Sequence, residues 1–95
     1  MTERQRNHLE GRFASARQNY LITRKPNEFA RLKKAGELKG HLALIGQEAA
    51  SHYEILMAQM QETAAAMPSS GEKDAYLSQM SQTAAELTLA DIVYV

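Results

Sequence analysis

The chain contains no cysteine and no tryptophan, and over 95 residues it has only two prolines, five glycines and an aromatic content of 6%. Without cysteine there is no disulfide, no thiolate nucleophile and no Cys-ligated zinc, a composition that suits a reducing compartment. A cytoplasmic protein is therefore expected. Nowhere do about 18 apolar residues run together, and Met1 to Asn7 is polar and charged, so neither a membrane span nor a signal peptide is expected. Large apolar side chains are also scarce. Hydrophobic residues make up 44% of the chain, but 15 of them are Ala. A single domain of this length, residues 1–95, buries only about 60–65% of the surface its unfolded chain exposes, and so thin a core favours self-association.

Catalytic signatures are missing too. No phosphate-binding glycine loop, nucleophile elbow or His-Glu-x-x-His motif occurs, so neither an enzyme nor a cofactor is expected.

The scarcity of proline and glycine leaves long uninterrupted segments. Pro26, Gly36 and the Pro68-Ser69-Ser70-Gly71 cluster divide the chain into four stretches rich in strong helix formers. The expected fold is all-α, a small bundle of about four helices with one long central amphipathic helix. The first helix starts at Thr2, with Gln5 completing a capping box, and runs to about Arg24. Its apolar face is Leu9, Phe13, Ala16 and Tyr20. Lys25 precedes Pro26 and is steered out of helical angles, while Pro26 suits the first turn of a short second helix ending before Gly36.

The third helix, about Leu38 to Met67, carries Leu38, Leu42, Ile45, Ala49, Tyr53, Leu56, Met60, Ala64 and Met67 at an average spacing near 3.6, which keeps them on one side. At 1.5 Å per residue it is on the order of 45 Å long, longer than a compact domain of this size, so a second copy is expected to cover it. Ser69 with Glu72 reads as the capping box of a fourth helix carrying Leu77, Met80, Ala84 and Leu87. Beyond it, Leu87 to Val95 is the one stretch with β-branched clustering. This apolar terminus must dock on the long helix or on a partner, so the expected homodimer forms through both.

Charge is balanced overall but not along the chain. Residues 1–39 hold ten of the eleven Lys/Arg against four acids, and residues 40–95 hold Lys73 against seven acids, giving +6 and −6. Such asymmetry points to a polyanionic partner, or to halves that neutralise each other within a chain or between copies. The candidate nucleic-acid or partner-binding residues are Arg6, Arg12, Arg17, Arg24, Lys25, Arg31, Lys33 and Lys34. Arg6, Arg17 and Arg24 lie within about 20° of one another on a helical wheel, as a basic ridge or as side chains laid along the apolar stripe with the charge in water. Glu28 to Leu42 has the cadence of a helix-turn-helix, but Glu37, Lys39 and His41 make a poor base-reading surface. Backbone-directed contact with DNA fits the cations better. His41, Glu48 and His52 share a helical face, yet the two histidines are about 16 Å apart on one helix. They can share an ion only with help from another chain, so no metal site is assigned.

The run from Arg17 to Leu42 resembles the TnpV family of small transposon-encoded proteins, with matches at Tyr20, Leu21, Pro26, Phe29, Leu32, Gly36, Leu38 and Leu42. Ile45 and Ala49 continue the likeness, and Met80, Ala85, Glu86, Ile92 and Tyr94 resemble the family's C-terminal pattern. The similarity covers roughly residues 11–95. Tyr76 stands where the family often has Trp, and Glu37 replaces a Lys. The resemblance implies a gene of mobile elements and no particular reaction. Two roles follow from it: an accessory DNA-binding protein beside a transposase or recombinase, or a protein-binding inhibitor of a host defence nuclease in the manner of anti-CRISPR proteins. A structural homo-oligomeric module is the third reading. The seven acids of the C-terminal half form no single stripe, which argues against DNA mimicry.

Overall fold

A computed structural model describes residues 2–68 and 71–95. These form α1 (Glu3–Arg24), α2 (Pro26–Ala35), α3 (Leu38–Ala65) and α4 (Gly71–Thr88), followed by a π-helical turn at Leu89–Val93. Among the described residues there is no strand. The expected all-helical architecture of four helices is what the chain adopts. The β-branched terminus continues α4 as a wider helix instead of extending.

Local chemistry sets most boundaries. The Thr2 hydroxyl accepts from the Gln5 amide at 3.2 Å, and the Thr2 amide donates to Gln5 Oε1 at 2.9 Å. Two of the first-turn donors are thereby satisfied. α1 stops at Lys25, whose backbone leaves the helical region (φ −135°, ψ 59°) ahead of Pro26. α2 ends in a Schellman motif. Gly36 takes φ 74°, and the Glu37 amide donates back to Leu32 O at 2.9 Å, a turn in which a side chain at Gly36 would be strained. α3 ends at Ala65, two residues before the expected Met67. The expected capping box at Ser69 lies outside the described residues.

α1 and α3 are antiparallel: as α1 advances through Arg6, Glu10 and Arg17, its partners on α3 retreat through Glu54, Gly46 and His41. The helices approach closely at Gly46. A Cβ there would lie 2.6 Å from the Glu10 carbonyl oxygen. Around this crossing sits the core of Leu9, Phe13, Ala49, Ala50 and Val93, with Ile45, Tyr53, Leu89 and Ile92 packed against it. Phe13 and Tyr53 meet with ring centroids 6.1 Å apart. α4 runs back beside α3, and the π-helical turn closes over the α1–α3 crossing.

The buried face of α1 differs from the expected one. Leu9, Phe13, Arg17 and Leu21 are buried, whereas Ala16 and Tyr20 are only half-buried. Steps of four residues advance about 40° around a helix each time, so the buried line winds about α1 as its neighbours change from α3 to the C-terminal turn and α2. Of the nine residues of the expected stripe on α3, Ala49 and Ala64 are buried and the seven others half-buried. The molecule is elongated, 54 × 26 × 15 Å with a radius of gyration of 15.8 Å, against about 12–13 Å for a compact domain of this length. No helix among the described residues is long and apolar enough to cross a membrane.

The π-helical turn begins directly after a buried threonine. The Thr88 side chain is fully buried and its hydroxyl donates to Ala84 O at 2.8 Å, engaging the carbonyl of the preceding helical turn. The helix widens immediately afterwards, and the Tyr94 amide donates to Leu89 O, five residues back, at 2.7 Å.

Candidate nucleic-acid interface

The structure divides the eight candidate cations into three kinds. Arg6 faces inward along the α1–α3 crossing. Its guanidinium donates to Glu10 at 3.1 Å, to Glu54 at 2.6 Å, to Ser51 Oγ at 2.9 Å and to Gln47 O at 3.1 Å. These contacts use its charge to join two helices.

Arg17 is buried, 7% exposed. Its Nη1 donates to Val93 O at 2.8 Å and Val95 O at 2.7 Å, its Nε donates to His41 Nε2 at 3.2 Å, and the guanidinium lies 5.6 Å from the Tyr20 ring centre. Arg17 thus ties α1, α3 and the C-terminal segment together, and Tyr20 and Tyr94 stack beside it at 5.3 Å. With Arg6 half-buried and Arg17 buried, the ridge of Arg6, Arg17 and Arg24 does not exist as an exposed strip. The wheel angles are as expected, but the side carrying Arg6 and Arg17 is covered by α3 and the C-terminal turn. Wheel geometry reports which residues share a side and carries no information about what lies against it.

The remaining candidates are exposed: Arg12, Arg24, Lys25, Arg31, Lys33 and Lys34. Arg12 stands apart, bordering a shallow groove with Glu86 and Tyr53. The other five gather where α1 gives way to α2. Arg31 pairs with Glu28 one turn earlier, with Nε to Oε2 at 3.2 Å, and this hydrogen bond holds the Glu28 carboxyl below its ordinary range. Lys25 Nζ reaches Val95 O at 3.1 Å. Arg24, Lys33 and Lys34 make no ion pair among the described residues. The Gly36 turn adds Lys39, exposed in the first turn of α3, to the same end of the molecule. Lys39 was expected only as part of a poor base-reading surface with Glu37 and His41; the turn at Gly36 keeps it beside the lysines of α2.

Between Arg24 and Lys39 there are six Lys/Arg against Glu28 and Glu37, a net +4. Part of this charge has a local use, since Lys33 and Lys34 occupy the last turn of α2 where the helix dipole favours cations. The arrangement is an exposed, mostly lysine surface without a deep pocket, suited to phosphates of a backbone more than to base edges. α2, the two-residue turn and α3 reproduce the helix-turn-helix cadence. At the start of α3, however, His41 is turned inward onto Arg17, leaving Glu37, Lys39 and Gly40 exposed.

The two histidines of α3 do not converge. His41 meets Arg17, whereas His52 Nε2 lies 3.3 Å from Asp91 on the π-helical turn. Among the described residues no three metal-ligating side chains gather.

Because His41 Nε2 accepts from Arg17, the imidazole is neutral with its proton on Nδ1. Burial, followed by the charge of Arg17, pushes its pKa below the ordinary value near 6.5. Glu28 and Glu48 pull the other way, and Arg31 adds to Arg17. The unfolded chain therefore binds a proton at a pH where the folded one resists it. The contribution is fully present above about pH 6.5–7 and is lost as pH falls through the lowered folded value. Thermal stability is expected to decline as pH falls below the ordinary histidine value near 6.5. His41→Gln, which keeps an acceptor for Arg17 but does not titrate, should flatten that slope. An unchanged slope in the variant would remove His41 from the account.

The molecule is thus an all-helical protein with a basic end built from α2 and its flanks. Residues 1–93 match the family model described as transposon-encoded protein TnpV, and the chain belongs to that family. No curated protein and no solved structure matches it.

Proposed function

We propose that the chain is a non-enzymatic accessory protein of a mobile element, holding duplex DNA through its phosphates beside a transposase or recombinase, with α3 as the amphipathic spine that supports the basic end. The observation that carries this reading is the gathering of Arg24, Lys25, Arg31, Lys33, Lys34 and Lys39 on one exposed end, where among the described residues only Arg31 is in an ion pair. Family membership supports the mobile-element setting. The internal use of Arg6 and Arg17 narrows the contact surface to α2 and its borders.

Phosphate contacts of this kind release counterions, so affinity falls with salt by about 0.9 log unit per contact for each tenfold rise in concentration. Titration of a labelled random-sequence duplex at two salt concentrations tests the reading. Lys33→Glu with Lys34→Glu should weaken binding at least about tenfold and lower the salt slope by about 2, whereas Arg12→Glu should change it little. Absence of binding at low salt would overturn the proposal and direct attention to a protein partner, the inhibitor role.

A further inference from the structure

We infer that α3 pairs with α3 of a second copy in an antiparallel register centred on the Ala49–Ala50 peptide, with Leu44 of each chain against the partner's Ile55. This does not rest on the DNA-binding reading. Leu44 is 53% exposed and Ile55 59% exposed, an unusual placement for large aliphatic side chains in the interior of a 28-residue helix. They lie on one shallow groove together with Glu48 and Ser51.

The positions 44, 48, 51 and 55 follow steps of 4, 3 and 4, so all four fall within about 60° of the helix circumference. This is the seam spacing of paired helices. It is also symmetric: Leu44 and Ile55, and likewise Glu48 and Ser51, are equidistant from the Ala49–Ala50 peptide. A two-fold axis at that point brings each Leu44 to an Ile55 and each Glu48 to a Ser51 hydroxyl. A parallel pairing would instead set Glu48 against the partner's Glu48, a like-charge contact that disfavours it.

Long-range charge selects the same direction. The end of the molecule from Arg24 to Lys39 carries +4, while residues 56–82 hold Glu62, Glu72 and Asp74 against Lys73, a net −2. Antiparallel copies lay each basic end beside the partner's acidic arm, and parallel copies would stack like on like. The inequality of the charges leaves each end of the pair positive. Glu37 approaches the partner's Glu62 at either margin, and there Lys34 and Lys39 accompany it. The size is adequate as well. A standard interface buries about 800 Å² per partner, a little over half of the 54 × 26 Å face. With two aliphatic anchors per chain, the affinity should fall in the micromolar range.

The absence of cysteine makes the register directly readable. Light scattering of the native chain from micromolar to near-millimolar concentration should show a shift from monomer to dimer, and Ile55→Glu should hold the chain monomeric with its helical circular dichroism unchanged. Leu44→Cys and Ile55→Cys chains, mixed and mildly oxidised, should form the 44–55 disulfide, while either variant oxidised alone should cross-link far less. A native chain that stays monomeric throughout, an Ile55→Glu chain that still dimerises, or single variants that cross-link as readily as the mixture would each overturn the inference.

Discussion

Replacing Arg17 by Met is expected to lower the stability of the folded chain by about 3 kcal/mol, seen as a fall of roughly 10–20 °C in the midpoint of a thermal melt followed by circular dichroism. The size follows from what the guanidinium satisfies. Val93 is fully buried, and its carbonyl oxygen accepts from Arg17 inside the fold. Without Arg17 that oxygen, and His41 Nε2 beside it, lose a donor where water has little access, at a cost of about 1–3 kcal/mol for each group left unpaired. Val95 is exposed and its O also meets Lys25, so its loss is partly made good. Arg17→Lys keeps the charge but cannot bridge both carbonyls and the imidazole at once, and should recover less than half of the loss. Since Arg17 ties down the C-terminal turn, Met at this position should also expose Leu89 to Val95 to limited proteolysis before the helices melt. A variant within about 1 kcal/mol of the native chain would mean that the C-terminal segment is held by apolar packing alone.

Gly46→Ala should be the second most damaging small change, with a loss of about 2–3 kcal/mol despite the helix preference of Ala, which by itself favours the substitution by about 1 kcal/mol. The methyl group would stand 2.6 Å from the Glu10 carbonyl oxygen and 3.4 Å from the Ala14 Cβ. The nearest obstacle is backbone, so α1 and α3 must separate along the crossing that holds Leu9, Phe13 and Ala49. Gly40 provides the control on the same helix. Nothing lies within 4 Å of the position its Cβ would take, and Gly40→Ala should stabilise by up to about 1 kcal/mol. Opposite signs at Gly40 and Gly46 in parallel denaturant titrations would separate close packing from helix propensity; equal effects would show that the crossing relaxes without cost.

Much of the secondary structure was legible because its determinants are local. The Thr2 and Gln5 box, the Lys25-Pro26 break and the Gly36 turn each involve residues within a few positions of one another, and each stands where the sequence places it. The C-terminal stretch was not legible, because β-branched residues there favour extension by composition while a buried Thr88 and a docking surface on α1 and α3 keep it helical.

The candidate interface was legible only in part. Lys33 and Lys34 could be read from α2 alone, as exposed cations at the end of a short helix. Arg6 and Arg17 could not be told from Arg24 by spacing, since all three share a side of α1. Their fates diverged through contacts 24 to 78 positions away in the chain. The His41 acceptor for Arg17 carries no signal in the sequence for the same reason.

By itself the sequence determined the four helices, their capping and breaks, the segregation of basic and acidic residues and the likeness to the TnpV family. Each depends on neighbouring residues or on residue order, and neither requires knowledge of what packs where. The tertiary structure alone decided which cations are used inside the fold and where α1 and α3 touch. A helix surface becomes interior or exterior only when another segment covers it, and in this chain the covering segments come from distant parts of the sequence.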